Sequence, residues 1–178
     1  MIGVEVKYIN CAIKVYLNAL SSRTPTPGGG SAAALFGATA CALAEMVVNY
    51  SDNKNKTIKK AKAALKRQRS LFMALMDEDA IAYKKLIKEK TQQAYKNASL
   101  VPLKVCSLSA HTAWLVENLA GLVNKRLLSD IDCAKAGFTA AFKSAKVNVF
   151  INLKSIKDKK FVNAVKKEIS NMEKKIWR

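Results

Sequence analysis

The chain has 178 residues, half of them hydrophobic, so it is long enough to form one domain with a substantial core. It carries 31 lysines and arginines against 13 aspartates and glutamates, a formal charge of +18, which favours a polyanionic partner such as nucleic acid, an anionic membrane or a small substrate with several carboxylates. Four widely spaced cysteines and a single histidine, without a Cys-x-x-Cys pair, argue against a disulfide scaffold and against a zinc site.

Outside one short stretch, the chain consists of long segments rich in Ala, Leu, Lys and Glu, without the alternation that strands show. These segments predict an all-α protein in which residues 1–178 form a single domain. The N-terminus carries Lys7 and Lys14 and lacks the apolar run of a signal peptide. Residues 31–49 are apolar enough for a membrane span, but Glu45 lies within them and most of their side chains are small. We therefore expect a buried helix, no membrane partner and a cytoplasmic location.

The first predicted helix covers residues 2–21 and leads into the sequence Thr-Pro-Thr-Pro-Gly-Gly-Gly-Ser at 24–31. The two prolines of this stretch oppose a helix, and its three glycines remove every Cβ, so that another group can approach the main chain closely. Gly30 or Ser31 is expected to cap an alanine-rich helix over 31–50. A glycine turn at the start of a helix suits an anion, and the alternative is a tight structural turn before a closely packed helix.

A long helix is predicted over 57–90, with a basic first half and an apolar stripe in its second half. We interpret the basic half as a solvated face, with an anion-attracting rim as the alternative. Asp79 falls on the apolar stripe, one turn from Leu75 and one turn from Tyr83. A carboxylate on a buried face is costly unless it is paired or has a chemical role, so Asp79 is a candidate functional residue.

The second half of the chain predicts three further helices. A polar connection over 91–98 is followed by a helix over 100–123 with Pro102 in its first turn. A near capping box at 129–132 is expected to begin a helix that continues to about residue 153.

Asn148 and Asn152 lie one turn apart at the end of a face of small residues on that helix. They either hydrogen-bond a heterocycle or only terminate the helix. A last, basic helix is predicted over 159–177. His111 falls on a polar helix face, where a surface histidine is the simpler interpretation, and we assign it no catalytic role.

Five motifs occur along the chain in a fixed order and together cover nearly all of it. They are the loop 25–31 with its alanine helix, Asp-Ala-Ile-Ala-Tyr at 79–83, Val-Pro-Leu at 101–103, Asn124 followed by Ser129-Asp130, and Asn-Val-Phe-Ile-Asn at 148–152. In this the chain resembles the cyclodeaminase/cyclohydrolase family, which comprises the C-terminal domain of formiminotransferase-cyclodeaminase and the stand-alone methenyltetrahydrofolate cyclohydrolases of bacteria. The resemblance implies an up-and-down-like bundle of about six helices that forms a homodimer and binds tetrahydrofolate derivatives.

The resemblance also implies a reaction. A stand-alone chain favours hydrolysis of 5,10-methenyltetrahydrofolate to 10-formyltetrahydrofolate, and the alternative is the cyclodeaminase reaction, in which formimidoyltetrahydrofolate releases ammonia. Both reactions pass through a tetrahedral centre and need a proton transfer. We expect Asp79 to carry the proton, with Asp130 as a second catalytic candidate or a pterin ligand.

The substrate-binding residues that the resemblance implies are Pro27, Gly28, Gly29, Gly30, Ser31, Asn124, Ser129, Asn148 and Asn152. The two late asparagines would orient the heterocycle, and the main chain of 28–31 with nearby lysines or arginines would hold the glutamate tail, with or without further glutamates. No metal or redox cofactor is expected, because the substrate brings the one-carbon unit. Two other hypotheses remain: a folate-binding member without activity, and a nucleic-acid-binding helical protein, which would explain the charge although no reader motif is present.

Overall fold

The structure is a computed structural model and describes residues 7–51 and 54–176. This part of the chain contains six α-helices, two short 3-10 helices and no strand. The α-helices are α1 (Ile13–Ser21), α2 (Gly29–Asn49), α3 (Lys56–Glu89), α4 (Gln92–Glu117), α5 (Leu128–Leu153) and α6 (Lys159–Ile176), and the 3-10 helices are Tyr8–Asn10 and Lys125–Leu127. The all-α class and the number of helices are confirmed.

Helices α2 to α5 form an up-and-down bundle. Each packs against the next in sequence, and α5 returns to pack against α2, while α6 lies on α4. Short connections enforce the alternation of direction: Lys90 and Thr91 alone join α3 to α4. The start of α2, the second half of α3, the start of α4 and the end of α5 therefore meet at one end of the bundle.

Small residues on α2 allow its neighbours to come close. Ala33, Gly37, Cys41 and Ala44 are buried, so this stripe of small residues packs against helices of the same chain. A Cβ on Gly37 would lie 2.3 Å from the ring of Phe72, so no larger residue fits there.

The apolar character of α2 is explained by this central position. By length and composition alone Gly29–Asn49 would qualify as a membrane span, but 56% of its apolar window is buried inside the bundle. The expectation of a buried helix over this segment is confirmed.

The prediction of a first helix over 2–21 is wrong in part. Residues 2–6 lie outside the described residues, Tyr8–Asn10 form a 3-10 helix, and α1 starts only at Ile13. The main-chain N–H of Tyr8 donates to Asp77 Oδ1 at 2.6 Å, and the Tyr8 ring packs edge-on against Tyr16. The bond to Asp77, which is distant in sequence, and the packing on Tyr16 override the local helical pattern.

The polar connection predicted over 91–98 is also wrong. Helix α4 begins at Gln92, because the Thr91 side chain caps it by accepting a hydrogen bond from the N–H of Ala94 at 3.1 Å. The polar residues that follow lie on the exposed side of the helix, and Pro102 lies inside α4 rather than in its first turn.

Two cap predictions are corrected as well. The N-cap of α2 is Gly28, so Gly30 and Ser31 belong to its first turn. Helix α5 begins at Leu128 after Leu127, and no side chain caps it, so the polar residues at 129–132 do not form a capping box. In both cases the helix starts earlier than the polar residues suggested.

Candidate active site

The glycine turn lies directly against the Asp79 carboxylate. A Cβ on Gly30 would be 2.0 Å from Asp79 Oδ1, and the main-chain N–H of Ser31 donates to Asp79 Oδ2 at 2.9 Å. The missing Cβ at position 30 is thus what allows an acid from α3 to reach the start of α2. The anion expected at this helix terminus is present in the structure as a side chain of the protein itself.

This contact places Asp79 in an unusual environment for an acid. Burial raises the pKa of Asp79 to about 6, although the hydrogen bond from the Ser31 N–H acts in the opposite direction. At neutral pH the carboxylate is therefore mostly ionised, and it holds a proton more readily than an exposed aspartate. A group with these properties can serve as a general base.

Asn148 and Asn152 of α5 complete this part of the structure. The Asn148 Nδ2 donates to the carbonyl of Ser144 and the Asn152 Nδ2 donates to the carbonyl of Ala98, both at 2.9 Å. Within the described part of the chain, no donor reaches either Oδ1. Both side-chain carbonyls are thus available to accept from a ligand, and Asn148 also contacts the turn, 3.0 Å from the Cβ position of Gly29.

These groups line one cleft of about 270 Å³ at this end of the bundle. Its walls come from the glycine loop, α3, the start of α4 and the end of α5, and they comprise Pro25, Thr26, Gly28, Gly29, Gly30, Asp79, Tyr83, Ala98, Asn148, Ile151 and Asn152. The volume holds a bicyclic heterocycle but lies just below the usual range for a complete small-molecule pocket.

The loop presents further main-chain donors to this cleft. In the segments 7–51 and 54–176, no protein group accepts from the N–H of Gly29 or of Gly30. Pro27 and Ser31 are buried and do not line the cleft, and the Thr26–Pro27 peptide bond is cis. Ser31 lies behind the cleft, where its N–H holds Asp79.

Three of the expected site residues lie elsewhere in the chain. Asn124 caps the second 3-10 helix, and its N–H donates to Ser51 Oγ at the far end of α2. Ser129 and Asp130 lie in the first turn of α5, and the helical rise places Asp130 roughly 27 Å from Asn148. A single chain does not bring these three residues to the cleft.

Sequence reasoning also missed some residues of the cleft. Tyr83, which the pattern placed on a buried stripe, is 42% exposed and forms part of the wall, one turn from Asp79. Ile151 lies between the two asparagines along α5 and is 56% exposed. Their spacing from Asp79, Asn148 and Asn152 could have indicated both, whereas no sequence signal pointed to Ala98.

The described residues include no cluster of three or more His, Cys, Asp or Glu side chains that could hold a metal ion. The polar groups of the cleft include one carboxylate, two amides, a phenol and main-chain N–H groups. Such a set can bind a heterocycle with its own N–H groups and an anionic tail, and it can transfer a proton.

Comparison with known proteins identifies the family. The sequence model of the formiminotransferase-cyclodeaminase family matches residues 12–171, which include the glycine turn, Asp79 and both asparagines. The chain belongs to this family. The resemblance noted from the sequence is thereby confirmed.

Individual relatives agree with this membership. A methenyltetrahydrofolate cyclohydrolase from Methylorubrum extorquens is 33% identical over 92% of this chain and 89% of its own length. The formimidoyltransferase-cyclodeaminase of Rattus norvegicus is 26% identical over 96% of this chain, which spans only 36% of that longer protein.

A solved structure supports the fold of this family member. The crystal structure of a formiminotetrahydrofolate cyclodeaminase from Thermotoga maritima superposes with a TM-score of 0.89 at 34% identity, covering 94% of this chain and 90% of that one. The architecture is therefore shared over nearly the full length of both chains.

Proposed function

We propose that this chain hydrolyses 5,10-methenyltetrahydrofolate to 10-formyltetrahydrofolate. The observation that carries the proposal is the Asp79 carboxylate, held at the glycine turn in a cleft that also offers two amide carbonyls. The relative from Methylorubrum extorquens, which bears the name of this activity and matches nearly end to end, supports the choice of reaction.

The first chemical step is the addition of water to the carbon that bridges N5 and N10 of the substrate. Asp79 takes a proton from the water as its oxygen bonds to this carbon, and a neutral tetrahedral adduct forms from the cationic substrate. The ionised carboxylate also stabilises the positive charge of the substrate before attack. The hydroxyl proton of the adduct then moves to N5 as the bond between carbon and N5 breaks, which leaves the formyl group on N10.

The remaining groups of the cleft position the substrate. The Oδ1 atoms of Asn148 and Asn152 accept hydrogen bonds from N–H groups of the pterin, whose edge alternates donors and acceptors. The N–H groups of Gly29 and Gly30 donate to polar atoms of the substrate beside Asp79, whose own carboxylate already complements the positive end of α2. No metal or redox cofactor enters this scheme.

The same cleft suits the cyclodeaminase reaction as an alternative. There, N10 attacks the formimino carbon and ammonia leaves, and a proton must again move at a tetrahedral centre. The relatives from Rattus norvegicus and Thermotoga maritima, which bear the names of cyclodeaminases, support this second candidate.

One experiment separates the two reactions. The purified protein is mixed with methenyltetrahydrofolate, and the loss of the methenyl absorbance is followed; ammonia release from formimidoyltetrahydrofolate is measured in parallel. We expect enzyme-dependent decay in the first assay and little ammonia in the second. Ammonia release without methenyl hydrolysis would replace the first activity by the second, and folate binding without either reaction would contradict both.

We further infer that two copies of the chain pair through α5. An exposed row along this helix is mostly small or apolar and includes Ala136, Ala140, Val147 and Ile151, with Phe36 of α2 beside it. Such a face is normally covered. Ile151 belongs both to this face and to the wall of the cleft, so the cleft opens towards the second copy.

A two-fold axis near Ala140, at the middle of α5, makes the paired α5 helices antiparallel. Asp130 of one copy then lies level with Asn148 to Asn152 of the partner subunit, because these positions are equally far from the centre. This pairing would add Asp130 and Ser129 to a cleft that one subunit leaves small. It explains why motif residues lie at opposite ends of α5.

Subunit complementation tests this arrangement. Asp79→Asn and Asp130→Asn chains are co-expressed with different tags, and mixed dimers are isolated together with the parent dimers. In a random mixture, half of the dimers contain one chain of each kind, and each of these has one intact site out of two. Although each parent alone is nearly inactive, we expect the mixture to show about a quarter of the wild-type turnover. A monomer in sedimentation, or no recovery in the mixture, would contradict the shared site.

A further inference from the structure

We propose that the Tyr16 hydroxyl is a positioning group for Asp79 and acts through Ser31. The inference rests on the proposed function only in that Asp79 is taken to be the base. Tyr16 does not line the cleft and touches no substrate in this scheme, so its role is to control the acid.

The geometry is a chain of two hydrogen bonds across three helices. The Tyr16 hydroxyl on α1 donates to Ser31 Oγ at 3.2 Å, and the N–H of the same Ser31 on α2 donates to Asp79 Oδ2 on α3 at 2.9 Å. Ser31 is fully buried and Tyr16 is 3% exposed, so water does not compete for the first bond. A movement of Ser31 in the first turn of α2 would displace the donor on which Asp79 depends.

Tyr16 is held firmly enough to fix this chain. Its ring meets the ring of Tyr8 edge to face, with 5.7 Å between centroids. Tyr16 is the buried residue of α1, whereas Ile13, Val15 and Leu17 on the same helix are at least half exposed. The helix that precedes the glycine loop therefore reaches the core at the residue that touches Ser31.

The hydroxyl also acts on Asp79 electrostatically. Its O–H dipole points towards Ser31, so the positive end lies nearer to the carboxylate and favours the ionised form. The coupling is visible from the other side: burial raises the pKa of Tyr16 above its usual value, the bond to Ser31 lowers it, and the negative charge of Asp79 raises it further.

No unpaired charge among the described neighbours of Asp79 outweighs the effect of the Tyr16 hydroxyl on its pKa. Its pKa is set by burial and by the Ser31 N–H, without a charged neighbour among the causes. Helix α5 presents neutral amides, and Lys104 of α4 is paired with Glu78 at 3.0 Å. Near Asp79 on α3, Asp77 accepts a hydrogen bond from the N–H of Tyr8, and Tyr83 borders the same cleft as Asp79.

The test is a titration of the Asp79 carboxyl carbon by ¹³C NMR in full-length protein without substrate, assigned with Asp79→Asn. Tyr16→Phe keeps the ring and removes the hydroxyl, and Ser31→Ala keeps the N–H and removes the acceptor. We expect each to raise the titration midpoint of Asp79 by roughly 0.3–0.6 pH unit. The double variant should shift no further than Ser31→Ala alone. Tyr8→Phe, which alters the other buried tyrosine outside the hydrogen-bonded chain, is the matched control and should leave the midpoint unchanged.

The inference would be overturned if the titration midpoint of Asp79 were the same in Tyr16→Phe as in Tyr8→Phe. It would also be overturned if Tyr16→Phe still raised this midpoint by the full amount in a protein that already carries Ser31→Ala. Where Tyr16→Phe does not fold, Ser31→Ala, which removes the acceptor of the Tyr16 hydroxyl, carries the test, with Tyr8→Phe as its control. Turnover of methenyltetrahydrofolate is measured separately, and the acid limb of its pH profile should move with the NMR midpoint. If the midpoint shifts as expected but the protein turns over neither methenyltetrahydrofolate nor formimidoyltetrahydrofolate, the inference is supported and the proposed function is contradicted. If turnover is normal and the midpoint does not shift, only the inference is contradicted.

Discussion

The two ends of the bundle each carry an aspartate that the motifs singled out, in very different surroundings. At one end, Asp79 projects from the middle of α3 into the start of α2, where it accepts a main-chain hydrogen bond and borders a cleft. At the other end, Asp130 lies in the first turn of its own helix and, within the part of the chain that the structure describes, makes no hydrogen bond or ion pair.

The two residues are of the same type, so their different burial and hydrogen bonding follow from their positions on their helices. Asp130, in the first turn of its helix, is only partly exposed and complements the helix dipole. An aspartate in mid-helix that meets the start of another helix is desolvated, and its pKa rises. The first acid can serve a distant site only by reaching a second molecule.

The largest effect is expected from Asp79→Asn. The change removes the proton acceptor, and we expect turnover to fall by about 10²–10⁴-fold, the usual contribution of a general base. Steady-state kinetics with methenyltetrahydrofolate measures the loss. Asp77→Asn is the matched control, since Asp77 lies on the same helix and binds Tyr8 N–H instead of the glycine turn. Near wild-type turnover in Asp79→Asn would remove Asp79 from the mechanism.

The same substitution is expected to stabilise the fold. Because the pKa of Asp79 is raised to about 6 in the folded protein, the ionised side chain disfavours folding at pH 7.5, and a neutral side chain removes this penalty. We expect a gain of about 1–3 kcal/mol in the free energy of unfolding by urea denaturation. The gain should shrink as the pH falls from 6 to 4, because the wild-type acid then becomes neutral too.

The second largest effect is expected at the opposite end, from Asp130→Asn. If two copies share each cleft, the loss of a charged hydrogen bond to the substrate should reduce kcat/KM by roughly 30- to 100-fold. The free energy of unfolding should change little, since Asp130 is not part of the core. Unchanged kinetics would mean that Asp130 takes no part in the site and that the cleft of a single chain is complete without it.

A third prediction concerns the contact that creates this contrast. Gly30→Ala places a methyl group 2.0 Å from Asp79 Oδ1, so we expect destabilisation by about 1–3 kcal/mol and a loss of turnover. Gly28→Ala is the control for stability, because nothing lies within 4 Å of its Cβ position. Thermal unfolding of both variants measures the difference, and the kinetics are compared between Gly30→Ala and the wild type. Equal behaviour of the two would mean that the close approach of Asp79 to the turn is not required.

The smallest effect is the pH dependence of the unmodified protein. Since the base must be ionised and its pKa is about 6, kcat/KM should be constant above pH 7 and fall about tenfold from the plateau by pH 5. Stopped-flow absorbance in a constant-ionic-strength buffer gives the profile. A plateau that extends to pH 4.5 would assign the acid limb to an acid without a raised pKa.

Much of the fold could be predicted from the sequence because the long helices are regular. The predicted helices over 31–50, 57–90 and 159–177 differ from α2, α3 and α6 by one or two residues. The errors arose where other contacts dominate: a threonine cap starts α4 within a polar stretch, and the binding of Tyr8 to α3 interrupts the first helix.

The candidate site could be predicted only in part. Asp79 was found because a carboxylate interrupts an apolar stripe, and the asparagines because two amides end a row of small residues. Motif order does not give distance, so the separation of Asp130 from Asn148 along one helix became clear only in three dimensions. Tyr16 reaches the glycine turn through tertiary packing that its own segment does not encode.

The placement of Asp79 at the start of α2 couples chemistry to architecture. The carboxylate that would accept a proton from water is also the negative charge that complements the end of this helix and the acceptor for its Ser31 N–H. Each time the acid is protonated, the helix loses part of its electrostatic anchor, and it regains that anchor when the proton departs. Protonation at the same time removes the desolvation cost of the buried charge, so each catalytic cycle would exchange one electrostatic contribution at the start of α2 for the other.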